Sequence, residues 1–454
     1  MVGCSMLPAC LWRDGQVEEG QVSSHVLETV DRHKSGLAVG VCSVCSAHPL
    51  VLEAAILQAL EDGTYLLVEA TSNQVDQFGG YTGMVPSDFR DLVLGIATHQ
   101  GLSEDRIVFG GDHLGPKRWR ALPAEEAMTH AAALIEAYVT AGFTKIHLDC
   151  SMACAGDPSP LTDAIVASRA ARLAKVAEEA AIRIDGASGL LYVVGTEVPV
   201  PGGAHETLTV ITPTSADSAR ATLAAHQAAF DAHGIQDAWG RVVGLVVQPG
   251  VEFDHLRVID YDRSKTGALC RVLDDRPNLV FEAHSTDYQT LANLQALVED
   301  HWAVLKVGPA LTFALREALF ALAHIEKELV EESDWSHLPE VVEDRMLAQP
   351  EYWHGYYEGD SQSQRLARRY SYSDRLRYYW PDPEVRATQE RLLANLTGLD
   401  IPLPLLSQYL PDQYSRVRCG ELTAEPRSLV VDRVRDALRP YSHACTPATE
   451  DERS

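Results

Sequence analysis

The sequence predicts a closed (β/α)8 barrel, an α/β fold, followed by a helical extension, and three observations carry that prediction. Between residues 37 and 330, eight short apolar runs alternate with longer stretches of helical periodicity. The runs are apolar at successive positions rather than alternate ones, as expected of parallel strands buried on both faces. Titratable residues gather where the runs end, which is the rim on which such barrels build their sites. An open doubly wound sheet is the competing arrangement.

Residues 1–34 read as a flexible, aperiodic tail leading into a short helix at 28–33. The strand runs follow at 37–44, 65–70, 107–109, 145–149, 190–194, 242–247, 279–281 and 303–307. Helices are expected between and after them at 49–61, 87–101, 123–141, 161–181, 215–233, 261–273, 287–299 and 312–330. Parallel neighbours need crossovers of this length, so the rhythm fixes 35–330 as the barrel. Beyond it the texture changes to aromatic and arginine-rich, without strand-like runs, and 331–442 reads as a helical extension beside the mouth. Pro381 and Pro383 should end one helix there and 385–396 should form the next. The polar residues 443–454 read as a disordered tail.

A net charge of −26 argues against nucleic acid or an anionic membrane as a partner, because the far field repels both. No stretch approaches the ~20 continuous apolar residues of a membrane span. The first residues lack the basic and apolar pattern of a secretory signal, and the nine cysteines form no zinc-ribbon spacing, so a cytoplasmic protein with reduced thiols is expected.

The chemistry sits at the strand ends. In order they deliver Glu69 with Asn73 and Gln77, Asp112 and His113, Asp149 and Ser151 after His147, Glu197, Gln248, Glu282 with His284 and Asp287, and Lys306. Any one of these has a bland explanation, such as a layer-filling ion pair or a core histidine. Together they are too many buried polar groups for a core that does nothing else. His113 and His284, on well-separated strands, suit a divalent cation such as zinc or manganese, with Gln248 and Glu197 as candidates for the remaining positions. Asp112 is then placed to act as acid and base beside it, with Asp149 as the alternative and Lys306 stabilising developing negative charge. The glycines before this pair, Gly110 and Gly111, should let backbone approach closely or adopt positive φ, and Gly115 with Pro116 should fix the exit. The segment 368–380 carries Arg375 and Arg377, and Arg375 is the expected contact to a sugar or phosphate. No GxGxxG fingerprint or Walker loop is present, and Gly202 and Gly203 read as plain turns.

The stretches 69–84, 110–116, 147–152, 197–203, 248–253, 282–289, 306–312 and 370–380 resemble the D-tagatose-1,6-bisphosphate aldolase class II non-catalytic subunit family, of the GatZ/KbaZ type. That family is similar in turn to catalytic class II aldolases, zinc-dependent TIM barrels that cleave the C3–C4 bond of ketose bisphosphates. The resemblance implies a barrel of the class II aldolase type, with Asp112 matching an acid/base carboxylate and His113 and His284 matching zinc ligands. Gln248 stands where a further histidine is expected, and the phosphate-gripping glycine-serine loop is not evident. Two activities follow as expectations: a ketohexose or ketohexose-phosphate 4-epimerase of the fructose/tagatose type, or a non-catalytic subunit stabilising a class II aldolase chain. A homo-oligomer is the other assembly considered.

Overall fold

The computed structural model describes residues 24–158, 160–198 and 211–446. The tail before residue 24, Gly202 and Gly203, and the segment after 446 lie outside the described residues.

The eight strands close a barrel. They are β1 (Val41–Val44), β2 (Leu66–Thr71), β3 (Ile107–Leu114), β4 (Lys145–Leu148), β5 (Leu191–Val194), β6 (Val242–Val246), β7 (Val280–Ala283) and β8 (Val304–Val307). Each pairs in parallel with its sequence neighbours, and β8 pairs back onto β1 with Val41 opposite Val304. Inside the lower half, Val41, Leu67, Val108, Leu191, Val243, Val280 and Val304 pack together, and Val26 and Val30 of the helix Ser24–Lys34 plug the bottom. An apolar plug at that end leaves the polar positions at the other, where the strands finish.

Most of the expected crossover helices form within a few residues of their predicted ends. The exception is 261–273, which breaks into the short turns Arg263–Lys265, Gly267–Cys270 and Arg271–Leu273. Asp262 accepts a hydrogen bond from the amide of Ser264, and Gly267 sits in the middle, so local capping and a poor helix former interrupt the periodicity. The seventh crossover starts at Leu291, not 287, because Asp287 turns away to accept hydrogen bonds from the amides of Gly308 and Ala310. Its carboxylate thereby caps the helix Pro309–Leu329.

β3 runs five residues beyond its apolar core, so Asp112 and His113 lie within the strand and not in a following loop. The register with β4 shifts between Gly111 and Leu114, and His113 takes φ 51°, in the left-handed region that non-glycine residues rarely adopt. The neighbouring glycines are required by close approach. A Cβ on Gly110 would lie 2.6 Å from Cγ of Glu69, and one on Gly115 would lie 1.7 Å from the carbonyl oxygen of Asp149.

The extension forms the helices Leu338–Ala348, Ser361–Tyr370, Pro383–Leu396, Leu403–Tyr409 and Pro411–Cys419, with a 3-10 turn at Arg375–Tyr379. Its last helix, Pro426–Cys445, passes the expected boundary at 442 and returns to the barrel. It packs on β1 and against the helices Pro49–Asp62, Leu291–Glu299 and Pro309–Leu329. The amide of Gly40 donates to the carbonyl of Cys445 at 3.0 Å, and Tyr441 donates to the carbonyl of Thr286 at 2.8 Å. The helix therefore seals the seam between β8 and β1.

Candidate functional site

Four charged side chains fill the upper barrel. Alternation along each strand points Lys145 and His147 of β4 to the same interior, as it does Glu282 of β7 and His284 just beyond that strand. Lys145 Nζ lies 2.7 Å from Glu69 Oε1 and 2.7 Å from Glu282 Oε2. Lys306 Nζ lies 2.8 Å from Glu69 Oε2 and 3.5 Å from Glu282 Oε1. All four residues are nearly or fully buried. Burial alone would pull Lys306 down, yet the surrounding carboxylates of Asp112, Glu69 and Glu282 hold it well above its ordinary value.

Above this layer, Lys306 also lies 2.8 Å from Asp112 Oδ1, which in turn meets His147 Nδ1 at 2.8 Å. Burial would raise the Asp112 carboxyl, but His113, Lys306 and His147 together keep it well below the usual carboxylate range. His113 Nδ1 is 2.7 Å from Asp149 Oδ2, and Ser151 donates to Asp149 Oδ1 at 2.6 Å. His284 Nε2 is 3.0 Å from Glu282 Oε1, and burial holds its imidazole near pKa 4 despite that carboxylate. The rings of His113 and His284 meet edge to face at 4.9 Å between centroids.

Asp112, His147, Glu282 and His284 each bring one donor atom to a group whose members lie within 4.8 Å of one another. The Nε2 of His147 is buried and has no hydrogen-bond partner, while its Nδ1 lies 2.8 Å from Asp112 Oδ1 and 3.2 Å from the amide nitrogen of His113. A buried unpartnered nitrogen costs free energy unless something binds it, and two imidazoles with two carboxylates suit zinc or manganese. The donor set therefore fits a divalent cation.

The extension supplies one wall. Arg377 and Tyr378 line a chamber of about 80 Å³ together with Asp112, His113, His284 and Lys306. Their turn is anchored by Asp374, which has φ 40° and accepts a hydrogen bond from Thr312 of the barrel helix. Tyr378 stacks on Tyr352 at 4.9 Å; burial would raise its phenol, but Arg377, Arg375 and Lys117 bring it below its usual value.

The chain matches the family described as D-tagatose-1,6-bisphosphate aldolase subunit GatZ/KbaZ-like over residues 26–446. The chain belongs to the GatZ/KbaZ-like family. It is 48% identical to a probable tagatose 6 phosphate kinase from Sinorhizobium meliloti 1021, with 89% of this chain and 100% of that one covered and a TM-score of 0.83. The YdjI aldolase from Escherichia coli K12 matches at 13% identity over 83% of this chain and 95% of that one, TM-score 0.39. The fructuronate-tagaturonate epimerase UxaE from Cohnella laeviribosi matches at 12% identity over 89% and 82%, TM-score 0.46.

Several residues of this GatZ/KbaZ-like chain are not where the sequence reading puts them. His113 falls outside the four-residue group and pairs with Asp149; His147 takes the place beside His284. Gln248 Oε1 accepts from the amides of Gly250 and Val251 at 2.7 and 3.1 Å, so it braces its own turn. Glu197 is exposed and accepts from Thr214 and Ser218 at 2.5 and 2.6 Å, near the start of the helix Ala216–Ala232. Gln77 donates to the carbonyl of His130 at 3.1 Å. Arg375 reaches the carbonyl of Tyr352 and lies over the Tyr356 ring at 3.3 Å, leaving Arg377 to face the chamber. Glu69 belongs to the ion-paired layer beneath, whereas Asn73 and Asp287 line the chamber, where burial pushes Asp287 up to about 6. Lys145 went unnoticed, although its i, i+2 relation to His147 places both on one strand face. Glu252 also escaped notice; burial raises its carboxyl to about 7.

Proposed function

We propose that this GatZ/KbaZ-like protein is a metal-dependent ketohexose or ketohexose-phosphate 4-epimerase, interconverting fructose- and tagatose-type sugars. The observation that carries the reading is the buried, unpartnered Nε2 of His147 within a donor group whose Asp112 and His284 line the chamber. A subunit that only stabilises a catalytic aldolase has no use for such an atom.

Asp112, His147, Glu282 and His284 would hold the cation, which when bound supplies Lewis acidity to polarise the C2 carbonyl. Asp112 Oδ1 is committed to His147 and Lys306, so the adjacent His113, oriented by Asp149, takes the proton of the C4 hydroxyl. The C4 oxygen becomes the aldehyde as the C3–C4 bond breaks, and the bond electrons pass through C3 and C2 to the carbonyl oxygen. Lys306 lies beside this developing negative charge. The aldehyde turns within the chamber, C3 re-adds to its other face, and His113 returns the proton to the C4 oxygen. The kinase activity that names the Sinorhizobium relative finds no phosphate-cradling loop here.

The test is metal analysis of the purified protein followed by incubation with fructose, tagatose and their phosphates in deuterated water. Epimerisation with the C4 hydrogen retained is expected. Deuterium at C4 contradicts the aldol route, and absence of turnover with metal bound transfers the assignment to the non-catalytic aldolase subunit.

A further inference from the structure

Cleavage and re-addition at C4 place a demand on the chamber that His113 alone does not meet. One base serves the C4 oxygen in both directions only if that oxygen stays within its reach while the rest of the aldehyde turns. Lys306 is engaged by Asp112, Glu69 and Glu282, and Asp112 is engaged by His147 and Lys306. Asp287 turns Oδ1 toward the amides of Gly308 and Ala310. The oxygen needs a donor from elsewhere.

Tyr378 has the geometry of that donor. It is half-buried and lines the chamber with His113, yet it enters from the extension and not from a strand end. Its ring is clamped, stacked on Tyr352 at 4.9 Å and edge to face with Tyr81 at 4.7 Å. One guanidinium nitrogen of Arg377 donates to the Tyr378 hydroxyl at 3.1 Å, while another is held by the carbonyls of Ser373 and Asp374. The hydroxyl thus accepts within its own turn and keeps its proton to give. Arg375 lies over the same ring at 5.1 Å, and Lys117, in the turn that follows His113, acts on Asp149 and Tyr378 alike. Burial would raise this phenol, but Arg377, Arg375 and Lys117 outweigh it and hold it below its usual value. The Tyr81 phenol, also at the chamber, is raised by burial instead.

We infer that Tyr378 is a catalytic residue of the extension: its hydroxyl donates to the C4 oxygen, keeps it beside His113 while the aldehyde turns, and stabilises the negative charge that grows there on re-addition. The inference rests on the epimerase reading and deepens it. The phenol keeps its proton throughout, so the proton transferred passes only between the C4 oxygen and His113. An acidified hydroxyl is the stronger donor to an oxygen gaining charge.

Tyr378→Phe tests it, since Phe keeps the ring and its stacking; circular dichroism and metal content should be unchanged. Expected is a loss of about 10²-fold in kcat with KM little changed, as when one donor to a developing oxyanion is removed. Because the donor must keep its proton, the rate of the unsubstituted protein should fall as pH rises through the ionisation of this phenol, below the ordinary value of about 10. That fall should be missing in the variant. Triose aldehyde trapped as a hydrazone, per epimer formed, should increase, because a freed oxygen lets the fragment leave. An unchanged kcat overturns the inference; so does a lower kcat with the same alkaline fall and the same trapped fraction, which is loss of packing. If the unsubstituted protein turns over no ketohexose, the epimerase reading falls, and calorimetric titration of both metal-loaded proteins with D-glyceraldehyde decides Tyr378 separately. Binding about tenfold weaker in the variant supports the donor role, and equal binding overturns it.

Discussion

One ammonium group joins two layers of the barrel: Lys306 Nζ lies 2.8 Å from Oδ1 of Asp112 at the mouth and 2.8 Å from Oε2 of Glu69 beneath it. The charge that steadies the site is thus itself held by a carboxylate that never reaches the chamber.

Replacing Glu69 by Gln should accordingly do more than remove one ion pair. It leaves Lys145 with Glu282 alone and Lys306 with Asp112 and a longer contact to Glu282 in a buried layer, and loss of one partner from a buried pair costs about 3–5 kcal/mol. Guanidinium unfolding of Glu69→Gln should show a destabilisation of that order. An unchanged midpoint would mean that the layer contributes nothing net.

Metal content should separate two histidines of the mouth. His147→Ala removes a member of the four-residue donor group and should lose most of the bound metal on dialysis. His113→Ala should keep the metal and lose on the order of 10²-fold or more in rate, because His113 is paired with Asp149 and stands outside that group. Elemental analysis with a rate measurement on both variants decides the order; metal lost equally from both restores His113 as a ligand.

Two buried rings should weaken the fold in acid. Burial lowers His33 and His48 from 6.5 to about 4. Between those values each ring binds more protons unfolded than folded, so its contribution to stability falls as pH drops from 6.5 toward 4 and levels off below. Burial raises Asp287 and Glu252 to about 6 and 7, which acts in the opposite direction over the same window. Calorimetric melting of His33→Gln and His48→Gln beside the unsubstituted protein, with a chelator to remove any metal contribution, separates the two effects: the midpoint should drop less between pH 7 and pH 5 in the variants. An equal change would contradict the neutral burial of these rings.

The barrel was legible because its strands are buried on both faces and so appear as unbroken apolar runs, each ending where the polar rim begins. The rim residues were legible as a set and much less so as individuals. Asp112 and His113 sit in a bulged strand because the pairing with β4 shifts register, which no local pattern announces. Gln248 and Glu197 were drawn away by amides and hydroxyls of their own loops. The choice between Arg375 and Arg377 depended on the rotation of a 3-10 turn, which puts residues two apart on different faces. His147 could be seen at a strand end, but which of its nitrogens lacks a partner is settled only by packing, where Asp112 and the His113 amide meet the other one.

The helix Pro426–Cys445, which covers β1, is made long after that strand. Roughly 400 residues separate the two, and at translation rates of ~5–20 residues per second the first strand waits on the order of 20–80 s for its cover. Throughout that interval the nascent chain presents an unsealed apolar edge between its earliest and latest strands. Covering that seam is therefore among the last events of synthesis, a delay that a barrel closed by its own eighth crossover does not have.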